Sequence, residues 1–307
     1  MTTRHVLSTA IGTLMLAGCV NLAPHYQPGE PPIPASLPAS SAAQSEVPPL
    51  LWNDVVISPA LRQLITTALD ENRNLRASAA NVRAARANLL VSRSARLPGL
   101  AASGTVQTGD TFDGGATGQA AFSDSAFAQI GVPAWELDFF GRIQNLNDAA
   151  LQAYLASEEG QRAAKISLAG TVAETWLQLA ADRELLQLAN RTAESQTESL
   201  NLTQQLFDAG TASELDVRRA SASVAQAKAQ AAAFEAAVRR DVNALQLLVG
   251  EPLPAGIAEQ AQLFPDPIAQ DLPVGQSSLI LLGRPDVRAA EALLKAANAN
   301  IGAARAA

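Results

Sequence analysis

The sequence predicts a mainly α-helical fold that is interrupted by one pair of β-strands. Helical periodicity runs from about residue 141 to 208 and again from 213 to 249, with a glycine between the two segments. Segments 100–108 and 126–135 alternate instead with period two, as strands do. The chain is 48% hydrophobic but only 4% aromatic, which favours long packed helices over a compact globule.

Residues 1–18 have the organisation of a secretory signal. Arg4 precedes the apolar stretch 6–16, which is too short to span a membrane. The letters LAGC at 16–19 resemble the bacterial lipobox, in which the cysteine becomes the lipid-bearing N-terminus of the mature chain. We therefore expect Cys19, the only cysteine, to be acylated rather than to be a small buried thiol. The residue after Cys19 is Val20, and the absence of an aspartate at this position fits sorting of a lipoprotein to the outer membrane.

The strap and the first helix follow the signal. Residues 19–57 are rich in Pro, Ser and Ala without an apolar period, and we expect them to form an extended strap. A helix is predicted over 58–97, because Ser58 can cap it, Pro59 suits its first position and Pro98 stops it. Its apolar stripe consists of Leu61, Leu64, Ile65, Ala68 and Leu69.

Region 98–139 is predicted to form a β-hairpin. Asp110 and Asp113 lie beside glycines in the connector, but the ligand spacing of an EF-hand is absent, so we interpret this stretch as a hairpin loop. Strands of about ten residues with weak alternation are typical of a tilted strand that crosses a bilayer. A hairpin in water is the alternative, and alternation alone would favour it.

A long helical hairpin is predicted over 140–250, followed by a linker over 251–275. At 1.5 Å per residue its first helix, to about Asp208, would extend on the order of 100 Å. Gly210 breaks the helix, and Thr211 and Ser213 can cap the second one, which ends before the letters GEPLP. A coiled-coil-like apolar seam follows the first helix and consists of Leu168, Val172, Trp176, Leu179 and Leu186.

Residues 276–307 are predicted to begin a second copy of the first helix. At an offset of 212 the alanine patterns agree, and Arg288, Asn300 and Arg305 fall on Arg76, Asn88 and Arg93. Alanine-rich helices align easily by chance, but matching Arg and Asn positions are harder to explain by composition. Because the pattern shows no helix stop signal near Ala307, we expect the second structural repeat to be truncated.

Charge and residue chemistry argue against nucleic acid binding and catalysis. Removal of Arg4 with the signal would leave 21 basic against 29 acidic residues. Six arginines drift around the first helix as a solvated or lumen-facing spiral: Arg73, Arg76, Arg83, Arg86, Arg93 and Arg96. The remaining histidine, His25, lies in the strap, and the sequence has no phosphate loop and no metal-spaced cluster. We therefore expect no enzymatic activity, no cofactor and no metal.

Four motifs occur in a fixed order along the chain. They are PAWELDFFGRIQNLNDAALQAYLASEE (133–159), LFDAGTASELDVRRA (206–220), LLVGEPLP (247–254) and RPDVRAAEALLKAANANIGAARA (284–306). Together with the lipobox they resemble the outer membrane factor family of tripartite, RND-type efflux pumps, that is, TolC-like and especially OprM-like lipoproteins. The resemblance covers essentially the whole chain and matches the N-terminal part of such a protein.

The resemblance implies a homotrimer in which each protomer gives four strands to a twelve-stranded α/β-barrel channel and its helices to a periplasmic tunnel. The implied partners are a periplasmic adaptor protein, an inner membrane efflux pump and outer membrane lipid. The strand-to-helix transition would comprise Trp135, Glu136, Leu137, Asp138 and Gly141. The turn that docks the adaptor would comprise Gly210, Thr211, Ser213, Leu215 and Asp216. Trp135 as an interfacial anchor and Asp216 as a residue of a helix's first turn are the simpler interpretations.

Two alternatives to a conducting channel stay open. A non-channel envelope lipoprotein could use its coiled coil as a spacer or to bind partners, although a spacer has no need of the strand pair. Two strands per chain would also leave unpaired edges in the membrane, so we expect the 307-residue chain to be an inactive fragment that does not conduct alone. The letters PVGQSSLILLGRPD lack the family's usual Leu-Pro ahead of the last helix.

Overall fold

The computed structural model describes residues 20–30, 51–112, 120–270 and 278–307. Its elements are α1 (Trp52–Val55), α2 (Pro59–Glu71), α3 (Arg73–Ser94), β1 (Ala101–Phe112), β2 (Ala120–Gly131), α4 (Arg142–Asp208), α5 (Glu214–Val249) and α6 (Pro285–Arg305), with 3-10 turns at Ala258–Gln260 and Ser278–Gly283. The described residues within 20–30, 82–158 and 288–307 form a first unit, and those within 51–81 and 159–287 form a second. Helices α3, α4 and α6 contribute residues to both units.

The core of the second unit is made by α2 and the α4–α5 hairpin. Ser58 caps α2 by accepting a hydrogen bond from the Leu61 backbone N–H at 3.4 Å. Four residues of the predicted apolar stripe of α2 are buried, Leu69 is partly buried, and the centre of the predicted α4 seam is buried. The side chains with almost no exposed surface are Leu61, Leu64, Ile65, Val172, Trp176, Leu179, Leu245 and Val249. Burial of side chains of this size, worth about 2 kcal/mol each, holds the three helices together.

Asn72 divides the predicted helix over 58–97 into α2 and α3. Its backbone is extended, with ψ at 125°, and its side-chain Nδ2 donates to the Leu248 carbonyl at 2.7 Å. Its Oδ1 accepts from the Leu75 N–H at 2.9 Å and so satisfies one donor at the start of α3. The amide is buried, and a tertiary contact 176 residues away in sequence therefore stabilises the break. The prediction of one continuous helix was wrong at this position.

Strands β1 and β2 pair antiparallel in the first unit, from Ala101 opposite Gly131 to Phe112 opposite Ala120. Both segments were predicted as strands, but β2 begins and ends earlier than the predicted 126–135. Pro133 has no N–H to give to a ladder, and this explains why the pairing stops at Gly131. Asp113, together with the rest of the connector 113–119 and the side chain of Asp110, lies outside the described residues.

In the parts of the chain that the structure describes, no helix combines the length and the apolar character needed to cross a membrane.

Two glycines at helix ends have positive φ for different reasons. Gly250 follows α5 with φ at +91°, and a Cβ atom built there would lie 2.6 Å from the Glu71 carbonyl oxygen. Gly210 follows α4 with φ at +77°, and a Cβ atom there would have no neighbour within 4 Å. Gly250 is therefore required by both backbone conformation and close approach, and Gly210 by conformation alone.

We predict that Gly250→Ala lowers the free energy of unfolding by roughly 3 kcal/mol, because it adds a backbone clash to the left-handed strain. Gly210→Ala should cost only about 1 kcal/mol, since nothing crowds the new methyl group. Urea denaturation followed by circular dichroism measures both losses. Equal losses in the two variants would contradict the close approach of Gly250 to Glu71.

Candidate functional site

The turn between α4 and α5 is closed by backbone hydrogen bonds. The Gly210 N–H donates to the Phe207 carbonyl at 2.8 Å, and the Thr211 N–H and hydroxyl both donate to the Leu206 carbonyl at 2.9 Å. These bonds satisfy carbonyl groups that the end of α4 leaves without helical partners. Gly210 and Thr211 thus form the turn at the tip of the hairpin, where the chain reverses direction.

Ser213 and Asp216 form a capping box at the start of α5. The Ser213 hydroxyl accepts from the Asp216 N–H at 3.3 Å and donates to the Asp216 carboxylate at 2.6 Å, and that carboxylate accepts from the Ser213 N–H at 3.1 Å. The Ser213 hydroxyl lowers the pKa of Asp216, and the Ser213 N–H acts in the same direction. Leu215, between them, exposes 57% of its surface. The five residues of the predicted docking turn thus form one hydrogen-bonded, exposed tip, which runs from the end of α4 into the first turn of α5 and carries an apolar side chain.

The segment between β2 and α4 contains the second predicted group of site residues. The Arg142 guanidinium donates to both carboxylate oxygens of Glu136, at 2.8 and 2.5 Å. Asp138 accepts from the Gln144 N–H at 2.8 Å and so satisfies a free donor in the first turn of α4. Gly141 begins the helix with φ at +77°.

This junction is unusually apolar for an exposed segment. Trp135 exposes 49% of its surface, and Leu137, Phe139 and Phe140 each expose more than half. Large exposed side chains in sequence with one another mark an interaction surface more often than a solvated loop. The sequence prediction named Trp135 and Leu137 in this region but passed over the two phenylalanines.

The start of the strap is held by α4 and α6 within the first unit. Asn21 Oδ1 accepts from Asn145 Nδ2 at 2.8 Å, and the Pro24 carbonyl accepts from Asn298 Nδ2 at 2.9 Å. A Cβ atom at Gly302 would lie 2.6 Å from the Ala23 Cβ, so only glycine permits this approach. Cys19, the predicted acylation site, lies outside the described residues, whereas Val20 beside it is described and exposed.

Sequence reasoning missed these strap contacts. Asn145 and Gly302 carried no local signal of a partner near residue 21, because the contacts join segments more than 120 residues apart. The one available hint was a glycine in an alanine-rich helix, which often marks a close approach.

Two carboxyl groups face each other across the α4–α5 hairpin. Asp182 is 8% exposed and accepts from Gln178 Nε2 at 3.2 Å. Burial raises the pKa of Asp241, the adjacent Asp182 carboxyl raises it further, and Arg240 opposes the change. Asp241 Oδ2 is buried without a donor among the described residues. The two carboxyl groups therefore form a hydrogen bond only when one of them holds a proton.

The described residues contain no group of three or more His, Cys, Asp or Glu side chains placed to hold a metal ion. His25 is exposed in the strap. The predicted spiral of six arginines is exposed along and just after α3, and among its members Arg76 pairs with Glu71.

A helical hairpin joined to a strand pair is the arrangement that solved outer membrane channels share with this chain, and comparison with known proteins identifies the family. The family model for outer membrane efflux proteins matches residues 64–251, more than half of the chain. This chain belongs to the outer membrane efflux protein family. The family predicted from the four sequence motifs is confirmed.

Two curated relatives come from Pseudomonas putida and one from Pseudomonas aeruginosa. The probable efflux pump outer membrane protein TtgC is 38% identical over 99% of this chain and 64% of its own length. The solvent efflux pump outer membrane protein SrpC is 42% identical over 96% of this chain and 64% of its own length. Outer membrane protein OprJ is 36% identical over 98% of this chain and 63% of its own length. The chain therefore spans just under two thirds of the length of these relatives.

Solved structures agree with the sequence relatives. A membrane protein from Pseudomonas aeruginosa superposes with a TM-score of 0.77 at 35% identity, covering 93% of this chain and 65% of that one. The open-state MtrE outer membrane channel of Neisseria gonorrhoeae superposes with a TM-score of 0.73 at 32% identity, covering 93% and 63%. The mainly α fold with a strand pair is thus the fold of outer membrane channels.

We predict that Gly302→Ala releases the strap from α6, because the new methyl group would overlap Ala23. Hydrogen exchange of residues 20–26, followed by mass spectrometry, should become about tenfold faster. Gly160→Ala is the matched control, since a Cβ atom at this position within α4 meets nothing within 4 Å. Unchanged exchange in Gly302→Ala would show that the strap does not depend on this contact.

The carboxyl pair of Asp182 and Asp241 should make the stability of the fold depend on pH. Because the pKa of Asp241 is raised in the folded state, its contribution to stability is complete below the ordinary aspartate pKa and is lost as the pH rises through the raised value. Asp241→Asn keeps a donor for Asp182 without the charge, so it should add about 1 kcal/mol at pH 7 and little at pH 4. Thermal unfolding across this pH range measures the difference. Glu198→Gln, an exposed carboxylate on α4, is the control, and a pH-independent effect of Asp241→Asn would refute the shared proton.

Proposed function

We propose that this chain is part of the outer membrane channel of a tripartite efflux system. Such a channel passes substrates from an inner membrane pump through a periplasmic tunnel to the outside. The observation that carries the proposal is the long α4–α5 hairpin joined to a strand pair, because that arrangement superposes over 93% of the chain on solved outer membrane channels. Transport rather than catalysis also agrees with the site, whose polar groups serve to cap helices and close turns.

The docking turn is proposed to contact a periplasmic adaptor protein. The capping box and the bonds at Gly210 hold the backbone of the turn in one conformation, which lowers the entropy that binding has to remove. Leu215 then presents an apolar side chain at the tip, and Leu206 and Phe207 are partly exposed beside it. A rigid loop with exposed apolar groups is suited to a protein partner.

The start of the chain and the strand pair are proposed to be anchored in the outer membrane. Acylated Cys19 and the β1–β2 hairpin would both enter the bilayer there. Exposed apolar side chains on the hairpin support this placement, namely Val106, Phe127 and Ile130. The junction segment 132–140 would then lie at the membrane surface, where tryptophan is enriched.

We further propose that the channel is a homotrimer. Helices α1, α2 and α4 border an apolar groove of about 1030 Å³ in the second unit, and its wall includes Trp52, Leu69 and Ile166. A groove of this size and polarity on one protomer is suited to a helix of another copy. Relatives are named for toluene, solvent and antibiotic efflux, so small organic compounds are the proposed substrates, with the inner membrane pump selecting among them.

The proposed docking is tested by cross-linking in living cells. We expect Leu215→Cys, treated with a short bifunctional thiol–amine reagent, to give an adduct with a periplasmic adaptor protein, because this side chain stands at the exposed tip. Mass spectrometry of the purified adduct identifies the partner. Deletion of the gene should in parallel raise the accumulation of a fluorescent efflux dye.

The matched control is Ala232→Cys, an exposed position on α5 about 25 Å further along the helix. It should give little or no adaptor adduct. Equal adducts from both positions, or none from Leu215→Cys, would contradict docking at the turn. Unchanged dye accumulation in the deletion strain would favour a spacer lipoprotein over a channel.

A further inference from the structure

A cavity of about 390 Å³ lies at the β2–α4 junction in the first unit. Its wall includes Arg96, which follows α3, and residues 135–138 of the junction. The buried side chain of Ile143 and the backbone of α4 at Gln144 complete it. A volume of this order accommodates a small polar group with several contacts.

Some charged side chains in this wall form ion pairs, and others can still bind a ligand. Glu136 accepts hydrogen bonds from Nε and Nη2 of the Arg142 guanidinium and is therefore neutralised. Asp138 gives one oxygen to the Gln144 N–H, and a carboxylate can accept further hydrogen bonds. Arg96 is exposed, and none of the described residues forms an ion pair with it. One guanidinium and one carboxylate thus share the cavity without neutralising each other.

Apolar side chains surround these charges. Leu97 follows Arg96 directly, and Leu100 stands at the start of β1 with 77% of its surface exposed. On the other side of the cavity Trp135 and Leu137 are part of the wall, and Val132 lies at the end of β2, more than half exposed. A polar cavity with one cationic and one anionic group, bordered by exposed aliphatic and indole surface, matches the chemistry of a lipid headgroup region.

We infer that this cavity binds the headgroup of a zwitterionic ethanolamine phospholipid. Arg96 donates to the phosphate, the Asp138 carboxylate accepts from the primary ammonium, and the surrounding apolar side chains contact the upper acyl chains. An anionic glycerol headgroup has no cation to give to Asp138, and a trimethylammonium group has no N–H to donate. The inference rests on the proposed function only for the position of the junction at the membrane.

The test is native mass spectrometry of the full chain in detergent, titrated separately with phosphatidylethanolamine and phosphatidylglycerol. The unmodified chain should bind the ethanolamine lipid more tightly. Arg96→Gln should weaken both lipids by about tenfold, because a charge-assisted hydrogen bond is lost. Arg93→Gln changes an exposed arginine in the last turn of α3, outside the cavity, and should leave both affinities unchanged.

A second variant tests the contact with the ammonium group separately from the contact with the phosphate. Asp138→Asn keeps an oxygen for the Gln144 N–H, so the start of α4 is retained, which circular dichroism checks. It should abolish the preference for ethanolamine and leave binding of the glycerol lipid unchanged. Excess inorganic phosphate should not compete, since it cannot contact the apolar border.

Several outcomes would overturn the inference. Among them are equal lipid binding by Arg96→Gln and the unmodified chain, competition by free phosphate, or oligomers of the chain that exclude lipid from the junction. Because lipid binding is measured on the isolated chain, it can fail while adaptor cross-linking and dye efflux succeed. The converse result would refute the channel proposal and leave the headgroup site intact.

Discussion

The burial of Trp176 among α2, α4 and α5 is the contact on which the second unit depends. Helix α4 has 67 residues, and a helix of this length is held only where other elements cover its apolar side. Near Trp176 that cover comes from Leu61, Leu64 and Leu245, all almost completely buried. Further along α4 toward Asp208 the buried residues are small, Ala189 and Ala193, so the hairpin there relies on close backbone approach.

How far the sequence predicts this fold depends on whether a feature is local. The ends of α4 and α5 were predicted, because Gly210 and Ser213 act through their own backbone and immediate neighbours. The break at Asn72 was not predicted, because the amide that holds it reaches the Leu248 carbonyl in another helix. The apolar period of α2 continues smoothly into α3, and no residue nearby distinguishes a kinked path from a straight one.

In the candidate sites, too, the local features were predicted from the sequence and the contacts between distant segments were not. The docking turn could be read from its residues, since a capping box is a short-range pattern. The junction was located by motif, but its ion pair, its cavity and the role of Arg96 depend on how the end of α3 and the start of α4 meet. The contact of Gly302 with Ala23 joins segments 279 positions apart in a region whose alanine-rich composition conceals it.

Both proposed contact regions use the same physical arrangement. At the turn and at the junction, local hydrogen bonds satisfy the backbone groups and hold the charged side chains, so apolar groups can stay exposed without loosening the fold. Leu215 and Leu137 are examples, each beside a carboxylate that accepts a backbone N–H at a helix start. Exposed apolar surface is costly in water, and its position on hydrogen-bonded supports favours the partners proposed for both places. The two regions differ in charge, since Arg96, which has no ion pair among the described residues, accompanies the junction and an acidic capping box accompanies the turn. We therefore propose lipid phosphate as the partner of the junction and protein as the partner of the turn.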